Sequence, residues 1–530
     1  MSLRLLIPIL YAAALTLSTH AADRPNILFC FSDDWGRYAS IYRDPARPGL
    51  SDVIETPALD RIGRSGVVFN NAFVSAPTCK PCRASVSTGM PFYRCGSEAF
   101  LHNQEYGKAE DPYKKLPGFS ELLVRSGYHV MHWGKTTSKP AKRVDRTHAL
   151  PVNYFSQAVS AADDKEARKK EIFSFVRSNF EAFLDDQPEG KPFFYWFGPH
   201  NSHRQWTRGS GKALWGLDPD MLKGKLPAFL PDVHDVREDV ADYLGEALAW
   251  DAMVNELLEE LEERGELDNT LILVSGDHGM PGMPRGKCNL HDFGSMVSLF
   301  ASWPERVKGG RVVDDFVSLM DIAPTVLEAA GLEPPEHMLA NSFLDLLKSE
   351  ESGIIEPERD HVIIGRERHV GQAQRDRQPY ASRAIRTADY LLIRNFKPNR
   401  LPHGVVYDPD ASAEDLLENH YLAYPDMDAS PTKVFLMTHR DSHAKYYDYA
   451  FAARPEFELY DLKRDPDQVE NVASNPEYGT QLQTLTYRLM RILEEIGDPR
   501  VVGDGRAFDR KPFVDPDYPA KEWTKKELNF

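Results

Sequence analysis

Cysteine is scarce in this sequence, with five cysteines among 530 residues. This number is too small for a disulfide-stabilised scaffold, and because it is odd, at least one thiol is unpaired or chemically special. Positive charge is also in deficit, since 63 Lys and Arg face 80 Asp and Glu, a net charge of −17. A general nucleic-acid-binding protein neutralises phosphates with Lys and Arg, so we expect no nucleic-acid partner. An anionic small ligand in a locally basic pocket stays compatible with this charge.

Long apolar runs are missing beyond the N-terminus. Arg4 precedes the apolar run 5–17, and small residues within 18–22 offer a cleavage site. This run is too short to span a bilayer comfortably and is followed at once by polar chain, which is typical of a secretory signal peptide. We therefore expect a cleaved signal peptide over residues 1–22, a secreted or periplasmic protein, and no membrane span.

The remaining chain has the composition of a globular protein, 42% hydrophobic and 27% charged. Short apolar runs alternate with helical patterns, which predicts an α/β fold with a mostly parallel sheet sandwiched by helices. Continuous apolar runs predict strands at 26–31, 67–74, 128–133, 193–197 and 270–275. Helical spacing and terminating glycines predict helices at 57–66, 119–127, 169–184 and 236–264.

The pattern changes after residues 331–335. Short strand-like segments at 362–364 and 390–394 stand among long polar loops. We therefore predict a main domain at 23–355, a smaller C-terminal α+β subdomain at 356–500, and a polar wrapping tail at 501–530.

Two of the predicted strands end in polar clusters. The first runs into Asp33 and Asp34, and the strongest runs into Asp277 and His278. Functional groups of open α/β sheets gather at the carboxyl ends of strands, and adjacent carboxylates that both stay ionised usually share a cation. Either cluster alone could cap a helix or form a turn. Together they predict a divalent-cation site, for which the ligand types suit calcium and magnesium equally.

Between these clusters, Cys79 and Cys82 flank Lys-Pro in a Pro- and Cys-rich segment that we predict to be a loop. Two thiols at this spacing suggest redox or metal chemistry. A zinc knuckle, however, needs a second Cys/His pair at matching spacing, and a thioredoxin-like dithiol belongs after the first strand of a small domain. Neither interpretation fits well.

The same segment resembles the signature of the type I sulfatases. Cys79-x-Pro81-x-Arg83 is followed by Thr88-Gly89, and in that family the cysteine is converted to formylglycine by a separate maturation enzyme. Other blocks that match the family in order are residues 26–36, Gly134-Lys135, Pro199-His200, Asp277-His278-Gly279 with Lys287, and residues 458–471. The resemblance covers nearly the whole mature chain and implies an alkaline-phosphatase-like fold.

The resemblance also implies roles for these residues. A calcium ion, with magnesium as the alternative, would be bound by Asp33, Asp34, the modified Cys79, Asp277 and His278. The hydrated aldehyde would attack sulfur, and its second hydroxyl would then expel sulfate. Arg83 would hold the hydrate, while sulfate oxygens would be neutralised by Lys135, Lys287 and His200. His200 is also the implied general acid for the leaving group.

Two positions depart from the family pattern. The family usually carries a histidine two residues after the lysine of the Gly-Lys block, where this chain has Thr137. Either His132 or His203 would take over, or turnover of the covalent sulfate is altered. Cys82 stands where Ser or Ala is commoner, and a Cys79–Cys82 disulfide formed in an oxidising compartment would block maturation.

Within the family, residues 226–239 and 279–290 are most similar to the N-sulfoglucosamine sulfohydrolase branch. The resemblance therefore implies a sulfatase that acts on a sulfate ester or sulfamate of a sulfated carbohydrate. A phosphoester or phosphonate hydrolase and an inactive glycan-binding relative are the alternatives. The C-terminal basic run either grips an acidic glycan or forms a salt-bridged surface, and it comprises Arg366, Arg368, His369, Arg383 and Arg386.

Overall fold

The structure is a computed structural model that describes residues 24–100, 111–136 and 150–510. The predicted signal peptide, Thr137 and residues 511–530 of the predicted tail lie outside the described residues. Within the described ranges, we find no helix with the length and apolar character needed to cross a membrane.

A seven-stranded sheet forms the centre of the N-terminal part. Its strands are β1 Asn26–Ser32, β2 Val67–Phe73, β3 His129–Gly134, β4 Phe193–Gly198, β5 Thr270–Gly276, β6 Leu299–Ser302 and β7 Arg311–Ser318. They lie in the order β3-β4-β1-β5-β6-β2-β7. Strand β6 is antiparallel to both neighbours, and all other pairs are parallel. The five predicted strands are confirmed as β1 to β5.

Helices cover both faces of this sheet, so parallel strands such as β1, β4 and β5 are buried on both sides and read as continuous apolar runs. One face packs against α2 Cys79–Thr88, α4 Phe119–Arg125, α11 Ile322–Ala329 and α12 Leu344–Lys348. The other packs against α1 Pro57–Ser65, α6 Phe155–Ser160, α7 Lys165–Asp185, α8 Ser210–Trp215 and α9 His234–Glu263. The short helices α3 Pro112–Lys115, α5 Leu150–Asn153 and α10 Asp292–Ser295 lie between longer elements. The four predicted helices correspond to α1, α4, α7 and α9.

The prediction of a loop around Cys79 is wrong, because this segment forms helix α2. Pro81 lies in the first turn of the helix, where its missing N–H removes no intrahelical hydrogen bond. Gly89 ends the helix with φ of 63° and a backbone N–H bond to Ser85. The proline and cysteine content of this segment therefore does not predict its helical conformation.

A second, antiparallel sheet follows, with strands in the order β11-β10-β9-β8. They are β8 His361–Arg366, β9 Ser382–Thr387, β10 Tyr390–Asn395 and β11 Phe457–Asp461. Helix α16 Gly479–Ile496 packs on one face through leucines 485, 489 and 493, and the other face contacts Phe73 and Phe316 of the first sheet. Helices α13 Ala413–Glu418, α14 Pro431–Thr438 and α15 Ala444–Phe451 lie between β10 and β11. The predicted smaller α+β part is thus present, while its boundaries at 355/356 and 500/501 stay predictions.

Candidate active site

Four neighbouring strands of the first sheet end side by side. Gly134 pairs with Gly198, and Ser32 pairs with Gly276, at the last positions of β3, β4, β1 and β5. The residues that come next are the predicted site residues Lys135, His200, Asp33 with Asp34, and Asp277 with His278. The parallel order of these strands therefore brings residues as far apart in sequence as Asp33 and His278 (278 − 33 = 245) to one edge of the sheet.

Cys79 reaches the same edge from helix α2, of which it is the first residue. Its Sγ lies 3.3 Å from His278 Nε2 and 3.6 Å from Asp34 Oδ1, and the side chain is 2% exposed. Burial raises the pKa of the Cys79 thiol, although Lys135 and Lys287 act to lower it. An unmodified Cys79 is therefore a neutral thiol and a poor nucleophile.

The three aspartates of the site are fully buried. Asp33 Oδ2 lies 2.6 Å from Lys135 Nζ and 2.5 Å from His200 Nδ1. Burial alone would raise the pKa of the Asp33 carboxyl, but Lys135, His200 and Arg83 outweigh it and hold this pKa well below its usual range. Asp33 is therefore an ionised carboxylate held among cations.

Asp34 and Asp277 are held by different partners. Asp34 lies 3.0 Å from both His278 Nε2 and Lys287 Nζ, whereas Asp277 Oδ2 accepts a 2.8 Å hydrogen bond from Arg83 Nε. Burial would raise the pKa of Asp34, yet Lys287, His203 and His278 keep it well below the ordinary value. Burial prevails at Asp277, whose pKa is raised despite Arg83.

These side chains fit a hard divalent cation. Two overlapping groups place their ligand atoms within 4.8 Å of one another: Asp33, Asp34, Cys79 and His203, and Asp34, Cys79, Asp277 and His278. Carboxylate oxygens supply two of the four ligands in each group, and such donors suit calcium or magnesium. The five predicted metal ligands are therefore brought together by the fold, with His203 as an additional candidate.

The predicted cations converge on the same place. Arg83 lies 3.3 Å from Asp33 and packs its guanidinium 4.9 Å from the centre of the Phe31 ring. Lys287 Nζ is buried and also lies 3.4 Å from Asp428 Oδ2. The sequence analysis misses Asp428, because no local pattern distinguishes this aspartate from those of other loops.

His203 and His132 are the two candidates to replace the histidine that the family usually has at the position of Thr137, and their locations differ. His203 stacks on His200 with ring centres 4.4 Å apart, and its Nε2 lies 4.0 Å from Asp34 Oδ2. Burial lowers the pKa of His203 to about 4. His132, in contrast, packs against the aromatic rings of Phe194 and Trp196 inside the apolar layer. Of the two candidates, only His203 lies beside the site.

The basic run of the C-terminal part is largely salt-bridged. Arg366 pairs with Asp426 at 2.7 Å, Arg386 with Asp292 at 2.8 Å, and the fully buried Arg383 with Glu367 and Asp498. Arg368 packs over the Phe100 ring, 4.9 Å from its centre. His369 differs, because its Nδ1 lies 2.5 Å from Thr78 Oγ1, next to Cys79. The structure therefore favours the salt-bridge interpretation for the three paired arginines.

Comparison with known families agrees with this geometry. The model of the sulfatase family matches residues 25–332, more than half of the chain, and the model of the C-terminal region of N-sulphoglucosamine sulphohydrolase matches residues 286–408. The chain therefore belongs to the sulfatase family and is a type I sulfatase, a hydrolase of sulfuric esters or sulfamates. Its C-terminal match confirms the similarity to the N-sulphoglucosamine sulphohydrolase branch.

Two relatives span most of the chain. The human N-sulphoglucosamine sulphohydrolase is 26% identical over 535 residues, which cover 95% of this chain and 97% of the relative. An ulvan-active sulfatase of Formosa agariphila is 26% identical over 499 residues, covering 90% and 76%.

Solved structures share the fold. BT4656 in complex with its substrate D-glucosamine-2-N,6-O-disulfate superposes with a TM-score of 0.60 at 17% identity, covering 90% of this chain and 98% of that one. A phosphonate monoester hydrolase of Agrobacterium radiobacter gives 0.56 at 16%, covering 89% and 96%. The predicted alkaline-phosphatase-like fold class, with its smaller C-terminal antiparallel subdomain, is confirmed.

Proposed function

We propose that this sulfatase hydrolyses a sulfate ester or sulfamate of a sulfated carbohydrate, with Cys79 converted to formylglycine and a calcium ion beside it. The observation that carries the proposal is the convergence of Asp34, Asp277 and His278 on Cys79, ringed by buried cations. A hydrated aldehyde supplies two hydroxyl groups where a thiol supplies none, and a divalent cation favours the ionised form of a bound hydroxyl. The ligands proposed for calcium, or for magnesium in its place, are Asp33, Asp34, position 79, Asp277 and His278.

The cationic side chains have separate tasks. Arg83 is fixed by Asp277 and orients the group at position 79, one helical turn away on α2. Lys135 and Lys287 hold their ammonium groups against Asp33 and Asp34, from where they can bind the oxygens of a sulfate group. Because these charges are positioned before the substrate arrives, they stabilise developing negative charge without reorganisation.

His200 is the proposed general acid. Its Nδ1 lies 2.5 Å from Asp33 Oδ2, so the Nδ1–H group donates a hydrogen bond to the carboxylate. This hydrogen bond fixes the orientation of the imidazole ring. The other ring nitrogen, Nε2, is then the atom that passes a proton to the leaving alcohol or amine.

The substrate class is inferred from the relatives. N-sulphoglucosamine sulphohydrolase, N-acetylglucosamine-6-sulfatase and ulvan-active sulfatase are each named for a sulfated or amino sugar. We infer a sulfated saccharide as the substrate partner, a formylglycine-generating enzyme as the maturation partner, and export through the signal peptide proposed at residues 1–22.

Mass analysis of the tryptic peptide 65–83 from matured protein tests the modification, since Lys80 precedes proline and is not cleaved. We expect an aldehyde at position 79. An intact thiol, or a Cys79–Cys82 disulfide, in protein co-produced with the maturation enzyme would contradict the proposal and favour a glycan-binding role.

Turnover then tests the reaction. We expect hydrolysis of an aryl sulfate to exceed that of the matching aryl phosphate and phosphonate, and a panel of N- and O-sulfated saccharides identifies the substrate. Preferential hydrolysis of phosphonate would overturn the assignment.

A further inference from the structure

A second cleft, of about 890 Å³, lies apart from the active site between the two sheets. It is bounded by the chain that follows the first carboxylate pair, from Arg37 to Arg47, by the turn between β9 and β10, and by residues around Gln468. None of the proposed catalytic or metal-binding residues lines it. Its volume is in the range of sites that bind small organic ligands. We name it the Arg37 cleft.

The lining of the Arg37 cleft is positive in a chain of net charge −17. Six arginines and four aspartates line it. Four of these arginines pair with carboxylates: Arg43 with Glu55, Arg47 with Asp467, Arg64 with Asp60, and Arg386 with Asp292. The guanidinium of Arg311 donates to backbone carbonyls. The cation that stands apart is Arg37.

Arg37 has no carboxylate partner among the described residues. Its Nη2 donates to Asn70 Oδ1 at 3.0 Å, its Nη1 lies 3.6 Å from Met296 Sδ, and its guanidinium stacks 4.2 Å from the centre of the Tyr42 ring. Its Nε is buried and meets no acceptor within the described ranges. A planar guanidinium that lacks a carboxylate partner is suited to bind an oxyanion such as sulfate or carboxylate.

A second unpaired donor lines the same cleft. Gln468 is 2% exposed, and its Oε1 accepts a 3.0 Å hydrogen bond from the backbone N–H of Asp292. Its Nε2 meets no acceptor in the part of the chain that the structure describes. Both N–H groups lie just beneath the surface of the cleft, so their uncompensated positive ends add to the positive potential there and favour a ligand that brings negative charge.

Aromatic side chains complete the lining, with the rings of Phe229 and Phe293 packed 5.0 Å apart on one wall. A site that combines apolar faces with a few oriented polar groups suits a ring that carries anionic substituents. We propose that the Arg37 cleft binds a sulfate- or carboxylate-bearing sugar unit, as a second, non-catalytic contact for the polymer. The anionic part of this inference rests on the lining, and the saccharide part rests on the proposed function.

Calorimetry tests the site in full-length protein carrying Cys79→Ala, which removes turnover. A sulfated oligosaccharide is titrated into this parent and into Arg37→Gln and Arg61→Gln variants made in it. Arg61 is an exposed arginine outside the cleft that pairs with Glu262. We expect binding at one site to weaken at least tenfold in Arg37→Gln and to stay unchanged in Arg61→Gln. Equal binding by Arg37→Gln and the parent would overturn the proposal.

A second variant guards against misfolding of Arg37→Gln. Gln468→Glu keeps the shape and the acceptor of the side chain but adds negative charge to the cleft, so we expect weaker binding of the sulfated ligand. Unchanged affinity in this variant would count against an anion site.

Two further ligands test the anionic part and the saccharide part of the inference separately. We expect the fully desulfated oligosaccharide to bind more weakly than the sulfated one, and inorganic sulfate to bind more weakly still. Inorganic sulfate that binds as tightly as the saccharide would overturn the saccharide part. Failure of the proposed function gives a different result from failure of the cleft proposal. Matured protein would then lack turnover, while the sulfated oligosaccharide would still bind at the cleft.

Discussion

At the scale of single residues, Asp34 joins the two strand ends of the site. Its backbone has φ of 55°, a left-handed conformation that aspartate tolerates better than most residues. Its N–H donates to Asp277 Oδ1 at 2.8 Å, while its carboxylate contacts His278 and Lys287. The Asp-Asp pair therefore needs one specific backbone turn as well as two charges, which explains why both carboxylates reach Cys79.

Asp428 gives a residue-scale prediction, because Lys287 Nζ lies between it and Asp34. Asp428→Asn removes one of the two charges that position the ammonium. We expect kcat/KM for an aryl sulfate to fall about tenfold, which corresponds to about 1.4 kcal/mol of transition-state stabilisation, with the melting temperature nearly unchanged. Asp410→Asn, an exposed change in the same C-terminal part, is the control. Equal loss in both variants would show that Asp428 does not position Lys287.

At the scale of elements, the site depends on how closely the strand ends approach each other. A Cβ at Gly198 would lie 2.1 Å from the carbonyl oxygen of Lys135, and one at Gly276 would lie 1.9 Å from that of Trp35. Both contacts are to backbone, which cannot swing aside as a flexible side chain can. Glycine at these strand ends therefore lets the segments that carry the candidate site residues pass each other in backbone contact.

Gly198→Ala tests this packing. The added methyl group must displace Lys135 or the end of β4, so we expect a loss of stability of about 1–3 kcal/mol together with a fall in kcat/KM. Gly479→Ala is the matched control, because a Cβ there meets no atom within 4 Å and the backbone is already helical. Wild-type activity in Gly198→Ala would contradict the proposed crowding.

Helix α9 carries a second element-scale property, since three of its buried carboxyl groups have a raised pKa. Burial raises the pKa of Asp242, Glu246 and Asp251 to about 7 each. Between the ordinary carboxyl pKa and 7, the folded state then binds more protons than the unfolded state. Their contribution to stability is therefore present at low pH and is lost as the pH rises through this window.

Asp251→Asn isolates one of these groups. Its Oδ1 accepts from the Leu59 N–H at 2.9 Å, a bond that an asparagine oxygen preserves, whereas the second backbone partner of the carboxylate, Ala58, is lost. The loss is the same at every pH, so we expect the free energy of unfolding of the variant, relative to wild type, to rise by about 1–3 kcal/mol between pH 4 and pH 8. Denaturant unfolding at a series of pH values measures this, and a difference that is independent of pH would refute it.

At the scale of the whole molecule, the site combines residues of the N-terminal part with residues of the C-terminal part. Asp428 and His369 belong to the C-terminal part, yet they contact Lys287 and Thr78. The buried pairs of Arg383 with Glu367 and Asp498 tie strand β9 to the chain beyond α16. Because a buried ion pair that loses one partner is strongly destabilising, these pairs keep the C-terminal part in one arrangement.

Metal removal is the corresponding prediction. Three buried aspartates repel each other, so a cation that binds only the folded state raises its stability, by about 2.7 kcal/mol at a hundred times the Kd. We expect calcium to raise the melting temperature of metal-stripped protein and a chelator to reverse the change. Asp34→Asn should respond much less. A melting temperature that calcium and magnesium both leave unaltered would contradict a metal site at Asp34.

The sequence by itself determined the buried strands of the first sheet and the polar residues that follow them, because apolar runs and the polar clusters at their ends are local patterns. It also determined the family, through short blocks around Cys79, Lys135, His200 and Asp277. Only the tertiary structure decided that segment 79–88 is a helix, that His203 and not His132 lies beside the site, and that Asp428 reaches Lys287. The physical reason is that such contacts depend on which strands and loops become neighbours, and strand order is not encoded in any local period of the chain.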